Sequence, residues 1–406
     1  MSTEQVDVLV IGAGIVGLAT ARALLNRHPG LRIVVVDKAA TVAAHQSGHN
    51  SGVIHSGIYY RPGSAKARLC REGRARLLEF CEDQDIPYRL SGKLIVATSI
   101  SELARLDRLH ERARANGVGC SLIPREAIND YEPHATGLAA LHVPETGVVD
   151  FKLVCAALAR DVQTRGGRIE LGAKVRRIAG SGVSSRRTVH SGRFVFTARI
   201  VLNCAGLHSD RIAALAAGTD SALDTRIVPF RGEYHTLVGG RDHLVRSLIY
   251  PVPDPRFPFL GAHFTRGIDG KVHVGPNAVL ALGREAYRWQ LPSRSDLADL
   301  VDPSVVRLGG RYWPDGVKEL VRSLSRSAMT RALKRLVPDI APSDLVPAGS
   351  GIRAQAVRRD GTLVDDFVFD ESPGIVNVIN APSPAATACL AIAEVIAERA
   401  ASMLRA

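Results

Sequence analysis

Near the start of the chain, Gly12-Ala13-Gly14-Ile15-Val16-Gly17 breaks an otherwise apolar stretch, and Asp37 stands twenty residues after Gly17. Before the glycines, Val6 to Ile11 is a short β-rich run. After them Ile15 to Leu25 has helical spacing, and Ile33 to Val36 is a second buried-strand run. A G-x-G-x-x-G between strand and helix leaves little choice of fold. The first glycine makes the tight turn, the second lets backbone approach a pyrophosphate, and the third, with Ala21, lets helix and strand pack closely. The helix N-terminus then faces phosphate, and an acid at Asp37 accepts hydrogen bonds from a ribose. The expected unit is a dinucleotide-binding βαβ, with NAD and FAD both open.

At roughly 150 residues per domain, a 406-residue chain makes two or three lobes with cores of their own. Helices are expected over Arg68 to Asp83, Ser101 to Ala115 and Phe151 to Arg165, and strands over Lys93 to Thr98, Arg168 to Leu171, Lys174 to Ile178 and Phe194 to Asn203. Between Leu207 and Val346 the order becomes strands (Arg226 to Leu237, Leu248 to Val252, Lys271 to Val274) and then a helical block from Asp296 to Leu336, which suggests an α+β lobe. A strand at Gly374 to Ile379, a loop at Asn380 to Pro384 and an Ala-rich helix from Ala385 to Leu404 return the chain to the nucleotide lobe. With no internal repeat and no low-complexity linker, the lobes are interleaved. The expected boundaries are 1–90, 150–210 and 347–406 for an α/β Rossmann-like domain, and 91–149 and 211–346 for an α+β substrate domain.

Composition narrows the function. The net charge is +12 and only eight of the 52 basic residues are lysine, so the positive field is carried by arginine and attracts anions. There is no dense basic tract of the kind that binds nucleic acid. Six scattered cysteines include no C-x-x-C pair or metal-ligand spacing, so neither a disulfide framework nor a metal site is expected, and a reducing cytoplasm suits them. Val8 to Leu25 is the one stretch that looks like a membrane span, but Arg22 and three glycines interrupt it. Any membrane contact is therefore expected to be peripheral, on the cytoplasmic face of the inner membrane.

Longer motifs go further. HQSGHNSGVIHSGIYYRPGSAKARLC (His45 to Cys70), PFRGEYH (Pro229 to His235), IYPVPDPRFPFLGAHFTR (Ile249 to Arg266), VGPNAVLA (Val274 to Ala281), GIRAQAV (Gly351 to Val357) and NAPSPAATA (Asn380 to Ala388) span nearly the whole chain. With ARIVLNCAG at Ala198 to Gly206, they resemble the flavin-dependent oxidoreductases of the D-amino-acid oxidase superfamily, and within them the L-2-hydroxyglutarate oxidase/dehydrogenase family. The resemblance implies bound FAD and a two-lobed fold of that type. It also implies oxidation of L-2-hydroxyglutarate to 2-oxoglutarate, with electrons passed to oxygen or a membrane quinone. The glycerol-phosphate dehydrogenases look similar around IHSGIYY but carry Arg where Tyr59 stands, and an amine substrate would want an acid for its ammonium. Another small anion, glycerol 3-phosphate or an amino acid, is thus the competing substrate. A basic RNA- or membrane-binding flavoprotein is the competing class.

The same resemblance distributes roles. Gly12, Gly14, Ile15, Val16, Gly17, Asp37 and Lys38 would hold the dinucleotide, with Ser47, Asn50, Ser51 and Gly52 toward ring and pyrophosphate, Val175 at the adenine, and Ala205 and Gly206 beside them. Ser383, Pro384, Ala385, Ala386 and Thr387 would begin a helix whose N–H groups stabilise negative charge on the reduced flavin. Removing a hydride from C2 and a proton from its hydroxyl calls for a base, and histidine suits neutral pH, with a rate that rises through its ionisation. His263 and His55 are the candidates, His263 slightly ahead because the alternation of LGAHFTR sends it to the opposite face from Ala262 and Phe264. Two substrate carboxylates call for guanidinium partners. Arg353 comes first, and Arg231 second because Glu233 offers it a local ion pair; Tyr59 and Tyr60 would donate hydroxyls or pack on the flavin.

Overall fold

A computed structural model describes residues 3–180, 186–218, 224–254, 261–288 and 291–405. Within the motif from Ile249 to Arg266, residues 255–260 lie outside the described residues.

The glycine turn does what its sequence demands. Strand Thr3–Ile11 runs into helix Ile15–Arg27 and returns through strand Ile33–Val36, which pairs parallel to the first. Strand Phe194–Asn203 flanks Thr3–Ile11 on the other side, Ile375–Asn380 lies parallel beyond it, and Arg168–Glu170 joins Ile33–Val36. Ile33–Val36 and Ile375–Asn380 are buried at every residue, as interior strands of a covered sheet are. Helices Ile15–Arg27, Ala65–Asp83, Phe151–Thr164 and Cys389–Arg405 share one core with it. Helix Ile15–Arg27 packs on Cys389–Arg405, and the buried residues of the pair include Ala19, Ala23, Ala393, Ala397 and Ala400, side chains small enough to let helix axes approach closely.

The second sheet contains nine described strands. Its centre is Thr225–Leu237, Val272–Gly275, His263–Arg266, Leu248–Pro251 and Lys93–Ala97, and helices Arg294–Leu300, Pro303–Leu324 and Arg326–Leu333 follow in sequence. Ala139–Val143, which shows no clear period in the sequence, is a strand because it pairs antiparallel with both Lys93–Ala97 and Ser121–Pro124. Val53–Ile54, Gly147–Val149 and Tyr88–Arg89 form a small third sheet. Between the sheets, Arg284 (3 % exposed) pairs with the buried Asp210 at the start of helix Ser209–Ala217 and with Asp299 at 2.8 Å. Asp210 also accepts the Ile227 N–H at 2.9 Å, so no charge in this junction is left unmatched.

Two expectations change. Leu345–Arg358 is one long strand paired with Thr225–Leu237 from Thr225↔Arg358 to Leu237↔Leu345. The boundary expected at 347 therefore falls inside the substrate-side sheet, which keeps the chain until Arg358. The last helix begins at Cys389 rather than Ala385, with residues 383–388 in turns. Two prolines, Pro382 and Pro384, lack N–H groups and restrict the residues before them. The turn closes through Ala385 N–H to the Pro382 carbonyl and Ala388 N–H to the Pro384 carbonyl, both 2.9 Å. Any anion stabilisation there comes from turn N–H groups, not from a helix end at Ser383.

Candidate active site

One elongated cavity of 1420 Å³ runs along the ends of the parallel strands and into the space under the second sheet. Gly12, Gly14, Ile15, Val16, Asp37, Lys38, Ser47, Asn50, Ser51, Val175, Ala205 and Gly206 line it, as do Ser383, Pro384, Ala385 and Ala386. Gly17, Gly52 and Thr387 do not. They shape the wall instead: Thr387 Oγ1 accepts the His55 N–H at 3.0 Å and donates to the Val53 carbonyl at 3.3 Å, and the Gly52 carbonyl accepts the Val149 N–H at 2.8 Å.

The nucleotide end is built for close backbone approach. Gly12 has φ +114°, and a Cβ there would meet the Cys204 carbonyl oxygen at 2.4 Å. A Cβ on Gly17 would fall 2.0 Å from the Gly12 carbonyl oxygen. Asp37 steadies the turn by accepting the Ala13 N–H at 2.7 Å and the Ala39 N–H at 2.8 Å, and its remaining lone pairs face the cavity. Ser47 Oγ accepts the Ile15 N–H at 2.9 Å, which joins the 45–52 loop to the helix N-terminus. Lys38 pairs with Glu285 and contacts His208, so it belongs to a charge cluster at this end. A turn with glycine at its closest approaches, a helix N-terminus and a ribose-range acid along one cavity fit a dinucleotide. Gly17→Ala forces helix and strand apart; the expected result is a lower Tm, by overpacking of about 1–3 kcal/mol, and a smaller ratio of visible cofactor absorbance to protein absorbance. Full cofactor content at wild-type Tm would contradict this account of the turn.

The other end collects titratable groups. His263 lies at the start of its strand and lines the cavity, while Ala262 and Phe264 pack into the core behind the sheet. His263 is 4 % exposed, and its ring stacks on Tyr250 with centroids 3.9 Å apart. Its Nδ1 is 2.7 Å from the Gly261 carbonyl, which only accepts, so Nδ1 carries the hydrogen and Nε2 is the ring's acceptor. Burial pushes the His263 pKa down to about 3; the Gly261 carbonyl opposes this, and the Arg353 and Lys93 cations add to it. His55 is held to about 3 by burial, then by Lys93, Arg353, His263 and Lys66. Its Nε2 is 3.4 Å from Ser383 Oγ. Both imidazoles are therefore neutral over the physiological range, and the ionisation expected near neutrality is displaced far into acid.

Arg353 reaches the same end from the middle of the long strand and lines the cavity, as do Tyr59 and Tyr60. Arg231 is absent from the lining. It is 8 % exposed and pairs with Glu233 at 3.1 Å, the local ion pair that their spacing offers on one strand face. Tyr234 and Tyr250 line the cavity beside Arg353 without having been singled out in the sequence. Lys93, which lies behind the lining residues Tyr59 and Tyr250 and not on the lining itself, is the larger omission. It is 1 % exposed, and its ammonium lies 4.4 Å from the Tyr59 ring centroid and 5.1 Å from that of Tyr250. The one signal available was a lysine opening the strand KLIVA, whose other residues are all apolar and buried.

Comparisons with known proteins agree with this geometry. The sequence pattern of the FAD dependent oxidoreductase family, DAO, matches residues 7–399. The chain is 46 % identical to an L-2-hydroxyglutarate dehydrogenase of Indibacter alkaliphilus over 394 residues, 97 % of this chain and 98 % of that one. It is 44 % identical to the mitochondrial L-2-hydroxyglutarate dehydrogenase of Homo sapiens over 414 residues, 98 % of this chain and 89 % of that one. In fold it is similar to the dithionite-reduced L-α-glycerophosphate oxidase of Mycoplasma pneumoniae with FAD bound, with TM-score 0.80, 23 % identity and coverage of 100 % of this chain and 96 % of that one. The two interleaved sheets, the glycine turn and the cavity between them thus have their family: the chain belongs to the FAD-dependent oxidoreductases of the DAO type, alongside the L-2-hydroxyglutarate dehydrogenases.

Proposed function

We infer that this protein oxidises L-2-hydroxyglutarate to 2-oxoglutarate. The observation that carries the reading is the conjunction, at one end of the dinucleotide cavity, of a neutral imidazole with its acceptor nitrogen defined and a cationic group beside it. FAD, when bound, supplies the acceptor for the hydride that leaves C2. His263 Nε2 takes the hydroxyl proton, because the Gly261 carbonyl holds the ring in the tautomer that leaves this nitrogen unprotonated. Arg353 grips the C1 carboxylate and orients C2. His55, which the Thr387 and Ser383 hydroxyls contact, orders the loop between cofactor turn and substrate end and is the second candidate for the base. Arg105, Arg108 and Arg112 of helix Ile100–Ala115 line the outer cavity and attract anionic substrate toward it.

The electrons pass onward to oxygen or a membrane quinone. No helix among the described residues is long and apolar enough to cross a membrane. Contact with a membrane would be peripheral, at exposed apolar side chains such as Trp313 (65 % exposed) on the helix Pro303–Leu324.

The test is anaerobic mixing of the purified holoenzyme with each enantiomer of 2-hydroxyglutarate. Bleaching of the flavin absorbance by the L form alone is expected. Bleaching by the D form alone, or by glycerol 3-phosphate or an amino acid in place of both, would assign the site to another substrate.

A further inference from the structure

A buried ammonium needs an anion or strong acceptors beside it, or it raises the energy of the fold. Lys93 has no carboxylate partner among the described residues, and what surrounds its Nζ is the faces of Tyr59 and Tyr250. Aromatic faces attract a cation but neutralise none of its charge. Burial accordingly draws the Lys93 pKa down to about 7, with only the Cys70 thiol opposing. A second unmatched group stands beside it: the Tyr59 hydroxyl is buried without a hydrogen-bond partner among the described residues, and burial keeps the phenol protonated, so it is a donor. Buried polar groups left unmatched by the chain mark a place where a ligand completes the pairing.

We propose that Lys93, with the Tyr59 hydroxyl as second donor, receives the distal carboxylate of the substrate and sets the preference for dicarboxylates over monocarboxylates. The proposal rests on the reading of L-2-hydroxyglutarate as substrate and adds the group that recognises its far end. Tyr250, against whose ring the Lys93 ammonium lies, stacks on His263, and Tyr59, Tyr250, His263 and Arg353 line the same cavity, so Lys93 and Arg353 approach one imidazole from two sides of the site. The carboxyl carbons of a five-carbon diacid are only about 5 Å apart across four C–C bonds, a span two such cations can bracket. Lys93 stands directly behind the lining residues Tyr59 and Tyr250 with no carboxylate on it among the described residues, whereas Arg231, the other sequence candidate for this carboxylate and likewise off the lining, already has its charge engaged by Glu233. Arg108 and Arg112 line the outer cavity but are exposed, so water screens them and they discriminate less.

The experiment titrates holoenzyme with glutarate and with pentanoate, which differ only in the second carboxylate, and follows the visible flavin spectrum. Neither ligand has a hydroxyl to oxidise, so the readout does not depend on turnover. Wild type should prefer glutarate by about 10- to 100-fold, the value of a charge-assisted hydrogen bond, and Lys93→Met should abolish the preference while leaving pentanoate affinity unchanged. A Lys93→Met protein that keeps the wild-type ratio, or a wild type with no preference, overturns the proposal. If Lys93→Met does not retain FAD, the wild-type structure with glutarate decides: a carboxylate oxygen about 2.7–3.2 Å from Lys93 Nζ supports the proposal, and a carboxylate on Arg108 or Arg112 instead overturns it. Lysine-dependent glutarate preference in a protein that L-2-hydroxyglutarate fails to bleach would refute the proposed reaction and leave this binding site standing.

Discussion

His263→Asn should bind FAD as the wild type does and slow anaerobic flavin reduction by L-2-hydroxyglutarate roughly 10²–10⁴-fold, the usual size of a general-base contribution. Asparagine keeps a side chain able to donate to the Gly261 carbonyl but has no ring nitrogen that gains a proton. The loss should therefore fall on the limiting reduction rate more than on substrate binding. The pH profile supplies an independent signature. Burial first, then Arg353 and Lys93, disfavour the imidazolium, so His263 in the free enzyme ionises at about 3 and is fully neutral well below the usual histidine range. For kcat/KM, which reports the free enzyme, no acid limb from His263 is expected between about pH 5 and pH 6.5. Bound carboxylates oppose the two cations and raise the imidazole pKa, so the acid limb of kcat should lie at higher pH than that of kcat/KM. Near-native reduction by His263→Asn, with loss in His55→Ala, would give the base role to His55. An acid limb near 6.5 in kcat/KM would mean that the imidazole is solvated in solution.

How much of this was legible in the sequence depended on whether a residue's role is local. Gly12, Gly17 and Asp37 act within one βαβ turn, so their spacing carries both the fold and the cofactor class, and the structure gives Gly12 the positive φ that such a turn needs. The strand HFTR was legible for the same reason, since alternation alone separates His263 from Phe264. Arg231 and Glu233 could be paired from their two-residue spacing. Lys93 could not be read this way. Its meaning comes from Tyr59, thirty-four residues earlier, and Tyr250, on a neighbouring strand that joins Lys93–Ala97 through Ile249↔Leu94. The boundary expected at 347 missed the strand Leu345–Arg358 for a related reason: the thirteen-residue strand Thr225–Leu237 offers this segment a pairing edge that local propensity does not encode. The start of the last helix was misjudged because alanine propensity pointed to Ala385 while the prolines just before it hold residues 383–388 in turns.

Arg353→Met should raise KM for L-2-hydroxyglutarate and lower kcat/KM by roughly 10²–10³-fold, within the range for truncating one partner of a buried charge pair. Arg353→Lys separates charge from geometry: an ammonium retains attraction but loses the planar fork, so it should recover part of the affinity while the reduction rate stays depressed by imprecise placement of C2. A second effect distinguishes the role in the site from a merely structural one. Arg353 is one of the cations that disfavour protonation of both His263 and His55. Removing its positive charge makes the imidazolium easier to form, so the pKa rises and the acid limb of kcat/KM in Arg353→Met should move to higher pH than in wild type. Arg231→Lys is the control. Arg231 pairs with Glu233 and lies off the cavity lining, so that substitution should lower Tm and leave the acid limb where it was. Wild-type KM in Arg353→Met with full FAD content, together with a raised KM in Arg231→Lys, would reverse the assignment of the two arginines.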